Sequence, residues 1–306
     1  MMEKILVFGH KNPDTDTICS AIAMAEFQKK MGKKVEAVRL GDINKETKYV
    51  LEFFKCKLPR MIETVEEGQE VILVDHNEFQ QSVDGIEKAN IIKVVDHHRI
   101  ANFCTAEPIF YHAEPLGCTA TILYKLAIMN NIEIDSKIAG LMLSAIISDT
   151  LLFKSPTCTD EDKKIAEVLA KIANIDINTY GMDMLKAGTD LDDLSEEELI
   201  DLDAKTIEKN GVKVIIDQVN TVSISNVFER QAKLEEAIQK TIEKENLSLF
   251  VFAVTDILNS NSEILVLGDR IDIVEKSYKL ENNRAFLEGV VSRKKQILPM
   301  IDKNID

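Results

Sequence analysis

The chain has 306 residues, 45% of them hydrophobic and 29% charged, the balance of an ordinary globular protein large enough for one large and one smaller domain. Its formal charge of −15 argues against a long polyanion such as nucleic acid as partner, but a small anionic substrate remains compatible if local cations or metal ions reverse the field in one cleft. No apolar run reaches the roughly 18–20 residues that cross a bilayer, and the opening residues are too few and too polar for a signal peptide, so a cytoplasmic protein is expected.

The first half alternates apolar strands with amphipathic helices. Residues 5–8 read as a buried strand, 17–31 as a helix stopped by Gly32, 35–38 as a strand and 45–54 as a helix. Val71-Ile72-Leu73-Val74 and residues 91–95 are two further short strands. From 119 to about 180 the periodicity is helical, including 138–147 and 162–172. This order predicts an α/β fold, a mostly parallel sheet with helices on both faces. An acidic run, Asp190 to Glu198, follows Lys186-Ala187-Gly188, and Ser195 with Glu198 forms a capping box. The expected division is therefore a catalytic domain over 1–188, a linker or hinge over 189–195 and a smaller α/β domain over 196–306. Within that last part 212–216, 222–224, 247–254 and 264–267 read as strands, 230–244 as a helix, and Gly289-Val290-Val291 as an apolar run near the end. The five cysteines are scattered and form no C-x-x-C pair, which points to buried free thiols.

The polar residues that follow the strands carry the chemistry. The first strand runs into Gly9-His10-Lys11-Asn12-Pro13-Asp14-Thr15-Asp16-Thr17, the strand ending at Val74 into Asp75-His76-Asn77, and the strand ending at Val95 into Asp96-His97-His98-Arg99. Ligands of an open parallel sheet bind beyond the carboxyl ends of its strands. Ser148-Asp149-Thr150 adds a further carboxylate at the end of the apolar helix 138–147. Each residue taken singly has an ordinary explanation: Asp14 and Asp16 as turn and cap residues, His76 or His98 as structural histidines, Asp149 as a helix-end polar group. Together they place more negative charge in one pocket than is tolerable without cations. Carboxylates mixed with imidazoles suit Mn, Co, Zn or Fe, and two such ions make a clamp for phosphate chemistry. His112 has no such context and reads as structural.

These motifs, in this order, resemble those of the DHH phosphoesterase superfamily. Glu114-Pro115-Leu116-Gly117-Cys118-Thr119-Ala120-Thr121 and Ser292-Arg293-Lys294-Lys295-Gln296 are similar to segments of its family II inorganic pyrophosphatases. The resemblance spans essentially the whole chain. It implies a manganese-dependent hydrolase that splits pyrophosphate through a hydroxide bridging two Mn2+ or Co2+ ions, with Mg2+ on the substrate, in a homodimer whose active site lies in the cleft between domains. His10 and Asp14 would hold one ion, Asp16 and His97 the other, and Asp75 and Asp149 would bridge both. His98 would contact phosphate, Asp96 would hold a histidine, His76 would support Asp75, and Lys205, Arg293 and Lys294 would grip phosphate oxygens. The stretch between Asp16 and Asp75 is too short for the nucleotide-binding insert that some members carry. An exopolyphosphatase of the same superfamily is the alternative. A phosphodiesterase on short oligonucleotides fits less well, since the chain has no Trp and only five Tyr.

Overall fold

The structure is a computed structural model that describes residues 4–305, with the side chain of Lys295 outside the described set. The chain forms two compact units that divide between Gly188 and Thr189.

The first unit holds strands β1 (Ile5–Phe8), β2 (Val35–Arg39), β3 (Arg60–Met61), β4 (Glu70–Val74), β5 (Asn90–Asp96) and β6 (Phe110–Ala113). All pair in parallel, in the order β3-β2-β1-β4-β5-β6. The chain leaves β1 in one direction for β2 and returns on its other side as β4. That reversal between β1 and β4 is the topological switch point at which a doubly wound sheet opens a crevice. The inner strands are apolar on both faces because both are covered; every residue of β1 is buried, as are Val71 to Val74 of β4.

Helix α1 (Thr15–Lys30) starts two residues earlier than the apolar periodicity suggests, because Asp14 is its N-cap and accepts the Thr17 N–H. Thr15 and Asp16 thus become first-turn residues. Helix α2 (Lys45–Phe53), capped by Asn44, agrees with expectation within a residue. The helical stretch after residue 119 resolves into α3 (Thr119–Met129), α4 (Ser136–Thr150), α5 (Asp160–Ala173) and α6 (Ile177–Gly188). At the start of α5, Thr159 and Asp162 form a capping box. Asp162 also accepts hydrogen bonds from the Gly117 N–H at 2.9 Å and the Thr121 hydroxyl at 2.6 Å. One buried carboxylate thereby fixes the loop that leads into α3.

The second unit is a mixed five-stranded sheet, ordered β11-β10-β9-β8-β7, of β7 (Lys205–Lys209), β8 (Val212–Thr221), β9 (Leu249–Asp256), β10 (Asn261–Leu267) and β11 (Arg284–Leu287). Only β8 and β9 pair in parallel. The helices are α7 (Glu196–Leu199), α8 (Ile224–Phe228), α9 (Gln231–Glu245), α10 (Asp272–Glu275) and α11 (Leu298–Asn304). All eight residues of β9 are buried. Phe250, Phe252 and Val254 pack with residues of α9, while Leu249, Val251 and Ala253 pack with residues of α10 and α11. The smaller α/β domain expected from the sequence is therefore present, with its sheet covered on both faces.

One expected strand is not a strand, and the apolar run near the end forms none. The segment 222–224 leaves β8, and Ile224 opens a short helix. Gly289-Val290-Val291 follows β11 as a turn, with Gly289 at φ 69°. Strand β7, rich in charged residues, carries no strand signal of its own, and β6 is only four residues long, Phe110-Tyr111-His112-Ala113; both are fixed by register on a neighbour. Residues 191 and 194, in the expected linker, are tied to the second unit, since the Arg230 guanidinium donates to both carbonyls at 2.8 Å. No helix among the described residues is long and apolar enough to cross a membrane.

Asp162→Ala strands the Gly117 N–H and the Thr121 hydroxyl in a buried site. The expected cost is about 3 kcal/mol, read as a lowered thermal midpoint. An unchanged midpoint would mean other contacts hold the loop.

Candidate metal centre

The carboxyl ends of β1, β4 and β5 and the facing ends of α1 and α4 deliver one cluster. Three overlapping groups of potential ligands form within it: His10, Asp14 and Asp75; Asp16, Asp75, His97 and Asp149; and Asp75, His97 and His98. Within each group the ligand atoms lie within 4.8 Å of one another. Asp75 is common to all three. Its Oδ2 faces His10 Nε2 at 3.5 Å, and its Oδ1 faces His97 Nε2 at 3.4 Å. His10 Nε2 lies 3.4 Å from Asp14, and His97 Nε2 lies 3.7 Å from Asp149.

Local structure explains each orientation. Asp75 has φ 59°, a left-handed conformation that a non-glycine residue adopts at a cost, and so turns off the end of β4. The Thr17 hydroxyl donates to its Oδ2 at 2.7 Å, the Thr119 hydroxyl to its Oδ1 at 3.1 Å. Thr17 sits close enough only because residue 9 is glycine; a Cβ there would lie 2.5 Å from Thr17 Cγ2. Asp16 is fully buried and accepts from the Ser20 hydroxyl and the Thr119 N–H. Asp149 rides the last turn of α4, after which Leu151, Leu152 and Phe153 all take positive φ values, 47°, 52° and 67°. Three left-handed residues in succession cost free energy and end the helix at the ligand.

The histidines are presented by their backbone contacts. The Nδ1 of His10 is 2.7 Å from the Lys11 carbonyl and that of His97 is 3.0 Å from the Leu116 carbonyl. Each carbonyl accepts from Nδ1–H, which turns Nε2 toward the carboxylates as the atom that holds either a proton or a metal ion. His98, about half exposed, is held through Nδ1 by Asp96 at 2.9 Å, and Asn77 donates to the other Asp96 oxygen at 2.6 Å. Asp96 thus holds a histidine, as expected. His76 does not brace Asp75: its Nδ1 bonds the Val74 carbonyl at 2.9 Å and its ring lies against Phe8. Peptide geometry at the strand end turns it into the core.

The electrostatics record how crowded the cluster is. Burial, reinforced by the Asp75 charge, pushes Asp16 up to about 7. Burial, with Asp16 and Asp75 beside it, holds Asp149 well above the carboxylate range. Burial opposes charge on Asp75 too, but hydrogen bonds and charge from His10 and His97 outweigh it and drive Asp75 well below that range. Burial likewise opposes the imidazolium forms, yet Asp14 and Asp75 push His10 up to about 11, and Asp75 and Asp16 push His97 up to about 9. The Asp96 hydrogen bond raises His98. Protons therefore occupy places that a divalent cation would satisfy better, and the oxygen and nitrogen donors fit such ions.

In the second unit, Arg293 begins a π-turn (Arg293–Ile297) and pairs with Asp203 at 2.9 Å, its side chain only 11% exposed. The Gln218 side chain accepts its backbone N–H at 2.8 Å. Lys205 opens β7 and Lys294 follows Arg293, both exposed. His112, read as structural, bonds Glu114 at 2.6 Å. Sequence reasoning missed Thr17, Thr119 and Glu46. The Glu46 carboxylate accepts from the Thr15 hydroxyl at 2.6 Å and the Ser148 hydroxyl at 2.5 Å; a Glu in an amphipathic helix gives no sign of this.

Comparison with known proteins agrees with this geometry. A profile for the DHH family, N-terminal domain, matches residues 4–146, and one for the DHHA2 domain matches 182–304. The manganese-dependent inorganic pyrophosphatase of Bacillus subtilis is 57% identical over 303 residues, covering 98% of each chain. A protein of an Exiguobacterium species, named a probable manganese-dependent inorganic pyrophosphatase, is 58% identical with the same coverage. A crystal structure from Methanococcus jannaschii, provisionally named a family II inorganic pyrophosphatase, superposes with TM-score 0.64 at 44% identity, covering 97% of this chain and 98% of the other.

The raised Asp16 sets a sign for stability. A carboxyl raised in the folded state stabilises fully below its unfolded value near 3.8 and loses that contribution as pH rises through about 7. A cation that replaces the protons is therefore worth more at high pH. Mn2+ is expected to raise the melting temperature of the metal-stripped protein more at pH 8 than at pH 6. Scanning fluorimetry in both buffers measures this, and an equal or reversed increment would refute the charge assignment.

Proposed function

This chain belongs to the family II, manganese-dependent inorganic pyrophosphatases and splits pyrophosphate into two phosphates, and we propose that it does so at the cluster centred on Asp75. His10 and Asp14 would hold one ion, Asp16 and His97 a second, with Asp75 and Asp149 shared between them. The observation that carries this reading is the sharing of Asp75 by two adjacent ligand groups, one facing each of its oxygens. Mn2+ suits the donor set, Co2+ fits it equally, and Mg2+ would accompany the substrate.

When bound, the metal ions supply positive charge that brings a water molecule toward ionisation near neutral pH and offsets charge on the phosphate oxygens. The protein's own groups do the rest. Thr17 and Thr119 fix the Asp75 carboxylate so that it need not reorganise. His98, whose imidazolium form is favoured by the Asp96 hydrogen bond, would present Nε2 to a phosphate oxygen. Lys205, Arg293 and Lys294 would offset the charge that grows on the departing phosphate. Arg293 is the best preorganised of these, held by Asp203 and Gln218, and a planar guanidinium matches phosphate oxygens in pairs. Residues 189–195 would serve as the hinge between catalytic and substrate-binding domains.

A cytoplasmic homodimer completes the reading. Strand β6 is a sheet edge, and Phe110, Met31 and Met129 expose apolar surface along one groove beside it. An uncovered edge of this kind favours pairing with another copy.

The direct test is phosphate release from pyrophosphate after metal removal and return of Mn2+, Co2+ or Mg2+, with tripolyphosphate alongside. Rapid release from pyrophosphate with Mn2+ or Co2+ supports the proposal; preference for tripolyphosphate would move it to an exopolyphosphatase. Arg293→Ala is expected to lower kcat/KM by roughly 10²-fold or more, and unchanged kinetics would remove Arg293 from the site. Light scattering should give a dimer mass that Phe110→Glu shifts to a monomer. A monomeric wild type would contradict the dimer.

A further inference from the structure

Glu46 lies in the first turn of α2, outside every group of potential ligands, yet a single oxygen of its side chain joins the two helices that carry three of them. Glu46 Oε1 accepts the Thr15 hydroxyl at 2.6 Å and the Ser148 hydroxyl at 2.5 Å. Thr15 stands between Asp14 and Asp16 at the start of α1; Ser148 immediately precedes Asp149 at the end of α4. Hydroxyl-to-carboxylate bonds of this length are strong and directional. The Thr47 hydroxyl, 3.1 Å from that of Thr15, extends the same knot into α2. On its other side Glu46 is backed by the end of α6: a Cβ on Gly188 would lie 2.8 Å from Glu46 Cβ and 3.1 Å from Oε2.

We infer that Glu46 is a positioning residue, which sets the spacing between Asp14 and Asp16 on α1 and Asp149 on α4 and so tunes affinity for the metal ions. This deepens the metal-centre reading and rests on it. Those carboxylates repel one another, and the hydrogen bond that joins Asp149 on α4 directly to Asp16 on α1 needs a proton between the two carboxyl groups, so a tie that outlasts the displacement of that proton by a cation has to come from elsewhere. Glu46 supplies that tie from a third helix. Because both bonds end on one oxygen, an amide oxygen can accept them as well. Alanine accepts neither, and aspartate falls short by one methylene.

The test is Mn2+ binding to the full-length chain, followed by calorimetry or by the electron paramagnetic resonance of free Mn2+, with pyrophosphate hydrolysis in parallel. Glu46→Ala is expected to weaken Mn2+ binding about 10–100-fold, while raising the Mn2+ concentration for half-maximal activity more than KM for pyrophosphate. Glu46→Gln should stay within about threefold of wild type, and Glu46→Asp should resemble Glu46→Ala. Ser148→Ala should weaken binding alone but add little to Glu46→Ala, the non-additivity of groups in one network. Gly188→Ala, which leaves Glu46 in place but presses on its Cβ, should weaken binding in the same sense and gives an independent reading should Glu46→Ala fold poorly. Wild-type Mn2+ affinity in Glu46→Ala or in both Ser148→Ala and Gly188→Ala would overturn the inference, as would a Glu46→Gln variant as damaged as Glu46→Ala. If the wild type bound no Mn2+ and Asp75→Ala changed nothing, the metal-centre reading itself would fall instead.

Discussion

Mutual repulsion among the carboxylates of Asp14, Asp16, Asp75 and Asp149 is the constraint on which the first unit is built. Four such groups within reach of one another are unstable in a low-dielectric site unless something holds them there. The fold does so in two ways. Asp14 and Asp16 lie at the N-terminus of α1, where the helix dipole and free N–H groups favour negative charge. Asp16, Asp75 and Asp14 each accept hydrogen bonds from hydroxyl or backbone donors. What these donors leave uncompensated appears as raised proton affinity at His10, His97, Asp16 and Asp149. A site that draws positive charge this strongly is prepared for metal.

The sheet order makes this convergence possible. Reversal at β1 and β4 places the loops after both strands side by side, and β5 next to β4 adds His97 and His98. Strain is concentrated at the same place. Asp75 leaves β4 in a left-handed conformation, and three left-handed residues follow Asp149. Strain of this kind persists only where the surroundings over-determine it. Here the surroundings are the buried β4, fixed on both sides by parallel neighbours, and α4, whose residues from Ile138 to Ile147 are buried throughout.

Much of this is legible in the sequence because strands and ligands obey local rules. Apolar runs at 5–8, 71–74 and 91–95 mark inner strands, and the residues that follow each run are the ones that meet. The set of His10, Asp14, Asp16, Asp75, His97 and Asp149 can be read that way because each sits at the end of an element with a clear period. What stays hidden depends on contacts distant in sequence. Strand β6 is short and half-exposed, β7 is largely charged, and both exist through register on β5 and β8. The expected strand at 222–224 is apolar enough, but β8 has already run ten residues and the chain turns into α8. His76 shares the motif of Asp75 yet points into the core. Thr119 and Glu46 look like ordinary helix residues until the fold brings them beside residues about a hundred positions away.

The second unit follows a different electrostatic logic. The chain carries a net charge of −15, so many surface carboxylates compete with phosphate for the cations proposed to meet it. Lys205 and Lys294 remain exposed, whereas Arg293 is drawn inward by Asp203 and by the hydrogen bond of its backbone to Gln218. Gln218 in turn donates to Thr255 on β9 and to the Val291 carbonyl, which ties the turn that bears Arg293 to the central strands. Gln296 closes the same turn from within, accepting the Val291 and Ser292 N–H groups and donating to the Gly289 carbonyl. Asp217, next in sequence to Gln218, is fully buried and pushed up to about 6 by burial despite the Asp203 N–H and the nearby Arg293 charge. In the role proposed for it, a guanidinium so held by one exposed carboxylate would exchange that partner for a phosphate oxygen at little cost, because its backbone is already fixed and only one ion pair changes hands.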